Sequence, residues 1–152
     1  MNDIRSTTRN ANLQDAIGTT IFANARVILA DRVMGAGRVT VTDGLITAIE
    51  EGDAVPSLPG AQVIDCAGDY LMPGMIDAHV HVYALSLNVT EAQGFPQTLT
   101  PHHARNMMAD ALDRGFTTLR DTGGADWGLW LAIEQGIITA PRLYYCGRGI
   151  SQ

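Results

Sequence analysis

The sequence predicts an α/β protein in which a small β-rich layer precedes a parallel sheet. Short strand-like runs separated by turns occupy residues 20–72. From residue 73 onward the pattern changes to strand, loop, helix, strand, helix, strand. That order is typical of a parallel sheet whose strands are joined by right-handed crossovers.

The β-rich layer is predicted from four short segments. An apolar run covers Ile21–Leu29, and Arg38–Thr42 alternates with a period of two. Asp43-Gly44 follows and favours a type I′ hairpin turn, because both central positions of that turn need a positive φ. Leu45–Ile49 is then the returning strand and Ala61–Asp65 a further short strand.

The second part is predicted to begin at a turn. In Pro73-Gly74, proline fixes φ and glycine supplies the positive φ of a type II turn. Met75–Val82 is then a strand and residues 83–99 a loop. We expect Thr100 to cap the next helix, with Pro101 as its first residue.

This helix should bury one face and end before Gly115, a plausible left-handed stop. The apolar positions of that face have helical spacing: Ala104, Met107, Met108, Ala111 and Leu112. Phe116–Asp121 is predicted as a strand, Asp126–Gln135 as a helix and Arg142–Cys146 as a third strand.

The composition excludes several classes of function. All 10 basic residues are arginine, so lysine chemistry, including a carboxylated-lysine metal bridge, is excluded within these residues. The formal net charge of −6 disfavours a nucleic-acid partner. Met1–Thr20 lacks the apolar core of a signal peptide, and no apolar run is long enough to span a membrane. We therefore expect a cytoplasmic protein without a membrane partner.

Cysteine usage supports the same expectation. Cys66 and Cys146 have no CxxC spacing, which indicates two buried thiols in a reducing compartment rather than a disulfide framework.

The most informative segment is the predicted strand that contains His79 and His81. Alternation places Asp77, His79 and His81 on one face of the strand and its apolar residues on the other. Because a parallel strand in an α/β protein is usually apolar on both faces, two adjacent imidazoles need an explanation. A metal ion provides one, since both ring nitrogens can reach a single ion. Two hydrogen-bonded histidines facing a polar cavity are the alternative.

The same segment resembles the signature of the metal-dependent amidohydrolase superfamily, and in particular its imidazolonepropionase-like and Xaa-Pro dipeptidase-like members. The resemblance is carried by Asp65-x-x-Gly68 and by Pro73-Gly74-x-x-Asp77-x-His79-x-His81. The hairpin at 41–49 resembles that superfamily's N-terminal β-sandwich. Residues 115–121 and 140–142 resemble its second and third barrel segments.

The resemblance implies an architecture larger than this chain. It implies a (β/α)₈ TIM barrel with a small β-sandwich, and such a barrel takes about 250 residues. We expect a flexible leader at 1–19, part of the sandwich at 20–72 and the first three β/α units at 73–152. The barrel is therefore incomplete in this chain.

The resemblance also implies a chemistry. His79 and His81 would bind a divalent metal, most simply Zn²⁺, as one or two ions. Activated water would hydrolyse a C–N bond of a small-molecule substrate: a cyclic amide, an amide or a dipeptide. The general base and the further ligands are expected beyond Gln152, so these residues alone should be inactive. Homo-oligomerisation is compatible with the sequence.

Other polar residues are weaker candidates. Asp77 either orients a ligand histidine or forms a hydrogen bond at the barrel floor. Asp121 lies at the expected rim, where an ordinary loop role is favoured. Arg148 and Ser151 follow the third strand at the same rim, where they can touch substrate.

Two further pairs of residues have ordinary structural interpretations. His102 and His103 are expected to face solvent, because neighbours on a helix point about 100° apart. Trp127 and Trp130 are expected in the core or in an interface.

Two alternatives to an enzyme are considered. One is a non-catalytic structural or interaction module that is completed by another chain. The other, a Rossmann-like nucleotide binder, is weak because no G-x-G-x-x-G motif follows a strand.

Overall fold

The computed structural model describes residues 18–52, 54 and 58–148 of the chain. They form two compact units, one ending at Pro73 and the other beginning at Gly74. Residues 1–17 of the predicted leader lie outside the described part, and the first strand begins within the predicted leader, at Thr19.

The first unit is a five-stranded sheet. Its strands are β1 (Thr19–Ile28), β2 (Val33–Thr42), β3 (Leu45–Glu51), β4 (Gln62–Asp65) and β5 (Tyr70–Leu71). The order is β3-β2-β1-β4, with β5 also paired to β1. β1 to β3 are antiparallel neighbours, whereas β4 and β5 run parallel to β1. The two-residue β5 is too short to leave a sequence pattern, and it was not predicted.

The hairpin between β2 and β3 has the predicted turn. Asp43 has φ of +50° and Gly44 has φ of +77°, so both central residues are left-handed, as a type I′ turn requires. One face of this sheet carries a buried apolar cluster formed by Ala25, Val27, Met34 and Val39.

The second unit contains a parallel sheet with the order β6-β7-β8. Its elements are β6 (Met75–Val80), α1 (Val89–Gly94), α2 (Leu99–Asp113), β7 (Phe116–Asp121), α3 (Trp127–Glu134) and β8 (Arg142–Tyr145). The alternating order predicted from the sequence is confirmed. The core of this unit consists of Val82, Ala104, Met108, Leu119, Ala125, Leu129, Ile133 and Leu143.

Gly74 does not have the conformation predicted for it. It is absent from the glycines with positive φ, so Pro73-Gly74 does not form the expected type II turn. Glycine is needed here for space instead, because a Cβ at this position would overlap the side chain of Thr117.

The start of α2 also differs from the prediction. The N-cap is Thr98 rather than Thr100, and its side chain makes no capping hydrogen bond. Pro101 is therefore the third helical residue, where its missing N–H group still has no intrahelical partner. The end is as predicted: Gly115 has φ of +88°, and its N–H group donates to the carbonyl of Leu112.

The predicted loop at 83–99 contains the short helix α1. The Asn88 side chain caps it by accepting hydrogen bonds from the backbone N–H groups of Thr90 and Glu91. Asn88 followed three residues later by Glu91 is a capping-box pattern that could have revealed this helix.

The burial predicted for the two cysteines and for Trp127 needs correction. Both cysteines are free, as expected, but neither is fully buried: Cys66 is half-buried and packs against the apolar cluster of the first unit, and Cys146 is exposed. Trp127, expected in the core or in an interface, is 60% exposed, which excludes the core and leaves the interface as a prediction. Its side chain projects from the first residue of α3.

Candidate metal centre

His79 and His81 lie at the carboxyl end of β6. His79 is the penultimate residue of the strand, and His81 is the first residue after it. Their ring centroids are 5.3 Å apart and their planes are inclined by 79°, an edge-to-face arrangement. Both side chains are exposed. The carboxyl ends of parallel strands are where α/β proteins usually place ligands.

Asp77 departs from the strict alternation predicted for this strand. Asp77 pairs with Leu119 and Val80 with Asp121, so β6 has one residue more than β7 between these pairs, which is a β-bulge. Asp77 and Val80 both line a small cavity between the sheet and α2. The Asp77 carboxylate accepts the backbone N–H of His79 at 3.1 Å and so contacts the backbone of that histidine.

The ring of His81 has a defined partner. Its Nδ1 lies 3.0 Å from the carbonyl oxygen of Gly123, in the loop after β7. A carbonyl oxygen only accepts hydrogen bonds, so Nδ1 must carry the proton. In the neutral imidazole, Nε2 then has a free lone pair, which is the state that a metal ligand needs.

Asp121 is the last residue of β7, and its side chain is almost completely buried, with 1% exposed. Its Oδ2 accepts the backbone N–H of Val82 at 2.8 Å. Its Oδ1 accepts the N–H groups of Gly123 at 2.9 Å and Ala125 at 3.1 Å. The carboxylate therefore ties the end of β6 to the loop that follows β7.

Tyr83 and Asp126 form a second polar contact near this loop. The Tyr83 hydroxyl donates to Asp126 Oδ1 at 3.3 Å, and the same oxygen caps α3 by accepting from Leu129 N–H at 3.0 Å. Burial, together with the nearby Asp126 carboxylate, raises the pKa of Tyr83 to about 12. The phenol therefore stays protonated at neutral pH and acts as the donor.

The remaining candidates are Arg148 and Ser151, after the third strand, and the histidine pair on α2. Arg148 is exposed at the end of the described range, and Ser151 lies beyond it. The loops after β7 and β8 are joined by a hydrogen bond from Gly124 N–H to the Gly147 carbonyl at 2.9 Å. His102 and His103 are both exposed on α2, as predicted.

The two histidines can supply part of a metal site. Two imidazoles at one strand end, one with a free Nε2, fit the nitrogen donors that Zn²⁺ prefers. Within residues 18–52, 54 and 58–148 no cluster of three or more His, Cys, Asp or Glu is placed to hold a metal ion. Catalytic zinc usually has three protein ligands, which is one more than this pair of imidazoles.

Fold and site together define an α/β protein whose first parallel strand ends in paired histidines. Comparison with known families gives this class a name: the amidohydrolase family model matches residues 70–151, more than half of the chain. The chain therefore belongs to the amidohydrolase family.

Curated relatives match part of the chain. It is 40% identical over 76 residues to an imidazolonepropionase from Mesorhizobium japonicum, an alignment covering 44% of this chain and 19% of that protein. It is 39% identical over 75 residues to a D-hydantoinase from Ralstonia pickettii, covering 49% of this chain and 15% of that protein.

Solved structures match most of the chain. An amidohydrolase superposes with a TM-score of 0.80 at 36% identity, over 88% of this chain and 32% of that one. A prolidase complexed with N-methylphosphonate-L-proline superposes with a TM-score of 0.81 at 34% identity, over 88% of this chain and 33% of that one. The chain thus spans about a third of the structures that it resembles and less than a fifth of these curated relatives.

Proposed function

We propose that this chain forms part of a metal-dependent hydrolase that acts on the C–N bonds of small molecules. The observation that carries the proposal is the pair His79 and His81 at one strand end, with Nε2 of His81 free. Membership of the amidohydrolase family supports the same reaction class.

In this proposal His79 and His81 are two ligands of a divalent ion, with Zn²⁺ the first candidate. When bound, such an ion lowers the pKa of its water to about 7 and polarises the carbonyl under attack. The chain's own part is to hold two imidazoles at one strand end and to keep the proton of His81 on Nδ1. Asp77 contributes by holding the backbone N–H of His79.

The sheet β6-β7-β8 is proposed to be the first part of a (β/α)₈ barrel, and the sheet of the first unit to be part of a β-sandwich. The superposition on solved structures of about three times this extent supports this architecture. Further ligands and the general base would come from later strands. On this account the 152 residues alone have no hydrolase activity.

The substrate class is proposed as a cyclic amide, an amide or a dipeptide. The similar proteins support this range, since they are an imidazolonepropionase, a D-hydantoinase and a prolidase. Arg148, exposed after β8, is proposed as a rim residue that can contact substrate.

A second function is favoured by the incomplete ligand set. With two of the usual three zinc ligands among the described residues, the chain can instead be a non-catalytic module that another chain completes. The histidine pair would then remain without a catalytic role.

The test separates these two functions. The full-length protein is stripped of metal, reloaded with Zn²⁺ and assayed on lactams, N-acyl amides and Xaa-Pro dipeptides. We expect metal-dependent turnover well above that of free Zn²⁺, abolished in His79→Ala and retained in His102→Ala. Zinc-loaded full-length protein that leaves all three substrate classes intact would contradict the enzyme and support the module.

A further inference from the structure

Beyond the ligands themselves, the structure assigns Asp121 as the positioning residue that holds His81 in its metal-binding tautomer. This inference rests on the proposed metal site and concerns what prepares one of its ligands. The Asp121 carboxylate accepts hydrogen bonds from backbone N–H groups and acts through the loop that follows β7.

A hydrogen bond holds the ring of His81. Its Nδ1–H donates to the Gly123 carbonyl at 3.0 Å, and this hydrogen bond fixes both the rotation of the ring and the position of its proton. A free histidine side chain has no such restriction, because either nitrogen can carry the proton. The tautomer of His81 therefore depends on where the Gly123 carbonyl stands.

Gly123, which supplies the acceptor, is itself anchored by Asp121. Loop residues of this kind are mobile unless their backbone groups are held. Here the Asp121 carboxylate accepts the N–H of Gly123 and, with the same oxygen, that of Ala125. Both ends of the short turn around the Gly123 carbonyl are thereby attached to one buried side chain.

Asp121 also links this turn to the strand that carries the histidine. The other carboxylate oxygen accepts the N–H of Val82, the residue directly after His81. Asp121 thus holds the backbone next to the donor ring and the residue that supplies the acceptor. Buried N–H groups that lose their acceptor have no water to replace it, so the arrangement around Asp121 is strongly preferred.

Asp121→Asn is the informative substitution, because it keeps the volume of the side chain. An amide has one acceptor oxygen, so it cannot accept N–H groups on both sides as the carboxylate does. Either Val82 or the Gly123 turn loses its acceptor, and the His81–Gly123 hydrogen bond loses its support. Removal of a group that supports a ligand in this way usually lowers metal affinity about 10–100-fold.

Asp126→Asn is the matched control in the same loop. It removes the same charge, but a single oxygen of Asp126 accepts both of its hydrogen bonds, so an amide oxygen can retain them. We expect this substitution to leave the tautomer of His81 unchanged.

The primary measurement is the tautomer of His81 in metal-free full-length protein, read from ¹⁵N-labelled histidine by long-range ¹H–¹⁵N NMR and assigned with His81→Ala. We expect His81 to be wholly Nδ1–H in the wild type and in Asp126→Asn, and to be a mixture of tautomers in Asp121→Asn. Zn²⁺ affinity, measured by competition with a chelator, should fall at least tenfold in Asp121→Asn only.

A folded Asp121→Asn protein with wild-type tautomer and wild-type Zn²⁺ affinity would overturn the inference. If this variant does not fold, the wild-type spectrum still decides: His81 with its proton on Nε2 overturns the inference, and on Nδ1 supports it. A protein that binds no Zn²⁺ refutes the proposed metal function instead, and the tautomer result then tests Asp121 by itself.

Discussion

The Nε–H group of Arg120 donates a hydrogen bond to the carbonyl oxygen of Ala78 at 2.8 Å. Arg120 lies on β7, and Ala78 is the residue before His79 within the bulge of β6. A bulge removes one residue from regular strand pairing, so its backbone groups need other partners. Arg120 supplies one for Ala78, while Asp77 accepts the N–H of His79.

Arg120→Met should loosen the backbone that carries His79. The substitution keeps an extended side chain and removes the donor, so the Ala78 carbonyl loses its hydrogen bond. We expect the free energy of unfolding to fall by about 1 kcal/mol, the usual net value of one hydrogen bond. Chemical denaturation measures this loss. Arg142→Met, at an exposed position of β8, is the control. An equal loss of stability in both variants would contradict the role of the Arg120–Ala78 hydrogen bond.

Gly74→Ala should destabilise the second unit, because the new Cβ would overlap the Thr117 side chain. Overpacking of this kind costs about 1–3 kcal/mol. Thr117→Gly in the same protein should recover most of this loss, which a double-mutant cycle measures as a coupling energy. Gly35→Ala is the control, since a Cβ at that position has no atom within 4 Å. Two independent, additive effects would contradict the steric explanation.

Asn24→Gly should raise the pKa of Asp65. The backbone N–H of Ala67 and the side chain of Asn24 both donate to this carboxylate, and they lower its pKa below the ordinary value of 3.8. Because the Ala67 hydrogen bond is the larger cause and remains, the pKa should return only part of the way. Glycine tolerates the φ of +53° at this position, so the backbone is preserved.

The sign of the stability effect follows from that shift. A lowered pKa in the folded state stabilises the fold above pH 3.8, and this contribution is lost as the pH falls through the folded-state pKa. The acid-induced loss of stability should therefore be smaller in Asn24→Gly than in the wild type. NMR titration of the Asp65 carboxyl carbon tests the shift, with Tyr70→Phe as the control. An unchanged pKa in Asn24→Gly would refute the role of Asn24.

Local patterns predicted those features of the fold that local physics determines. Asp43-Gly44 defines its hairpin because few residue pairs tolerate two left-handed positions. The predicted N-cap of α2 was wrong because proline is acceptable anywhere in the first turn of a helix. The position of Pro101 therefore does not determine where the helix begins. Gly74 was misinterpreted because its constraint comes from Thr117, which is distant in sequence.

The candidate site shows the same limit. The spacing of His79 and His81 suggested a pair of metal ligands. The bulge that takes Asp77 out of the predicted alternation depends on pairing with β7, which the sequence does not show. The roles of Arg120 and Gly123 have no sequence signal, because a guanidinium contact and a backbone carbonyl leave no motif. Asp121 was expected to be an ordinary loop residue, and its burial and three backbone contacts emerge only from the tertiary structure.

The proposed function depends on the binding of a divalent metal ion by His79 and His81. The most direct test is the zinc content of full-length protein purified as the wild type and as the four single variants His79→Ala, His81→Ala, His102→Ala and His103→Ala. We expect zinc to be lost from the first two variants, whereas the last two, at exposed positions of α2, should retain the wild-type amount. Undiminished zinc in His79→Ala and His81→Ala would contradict this proposal.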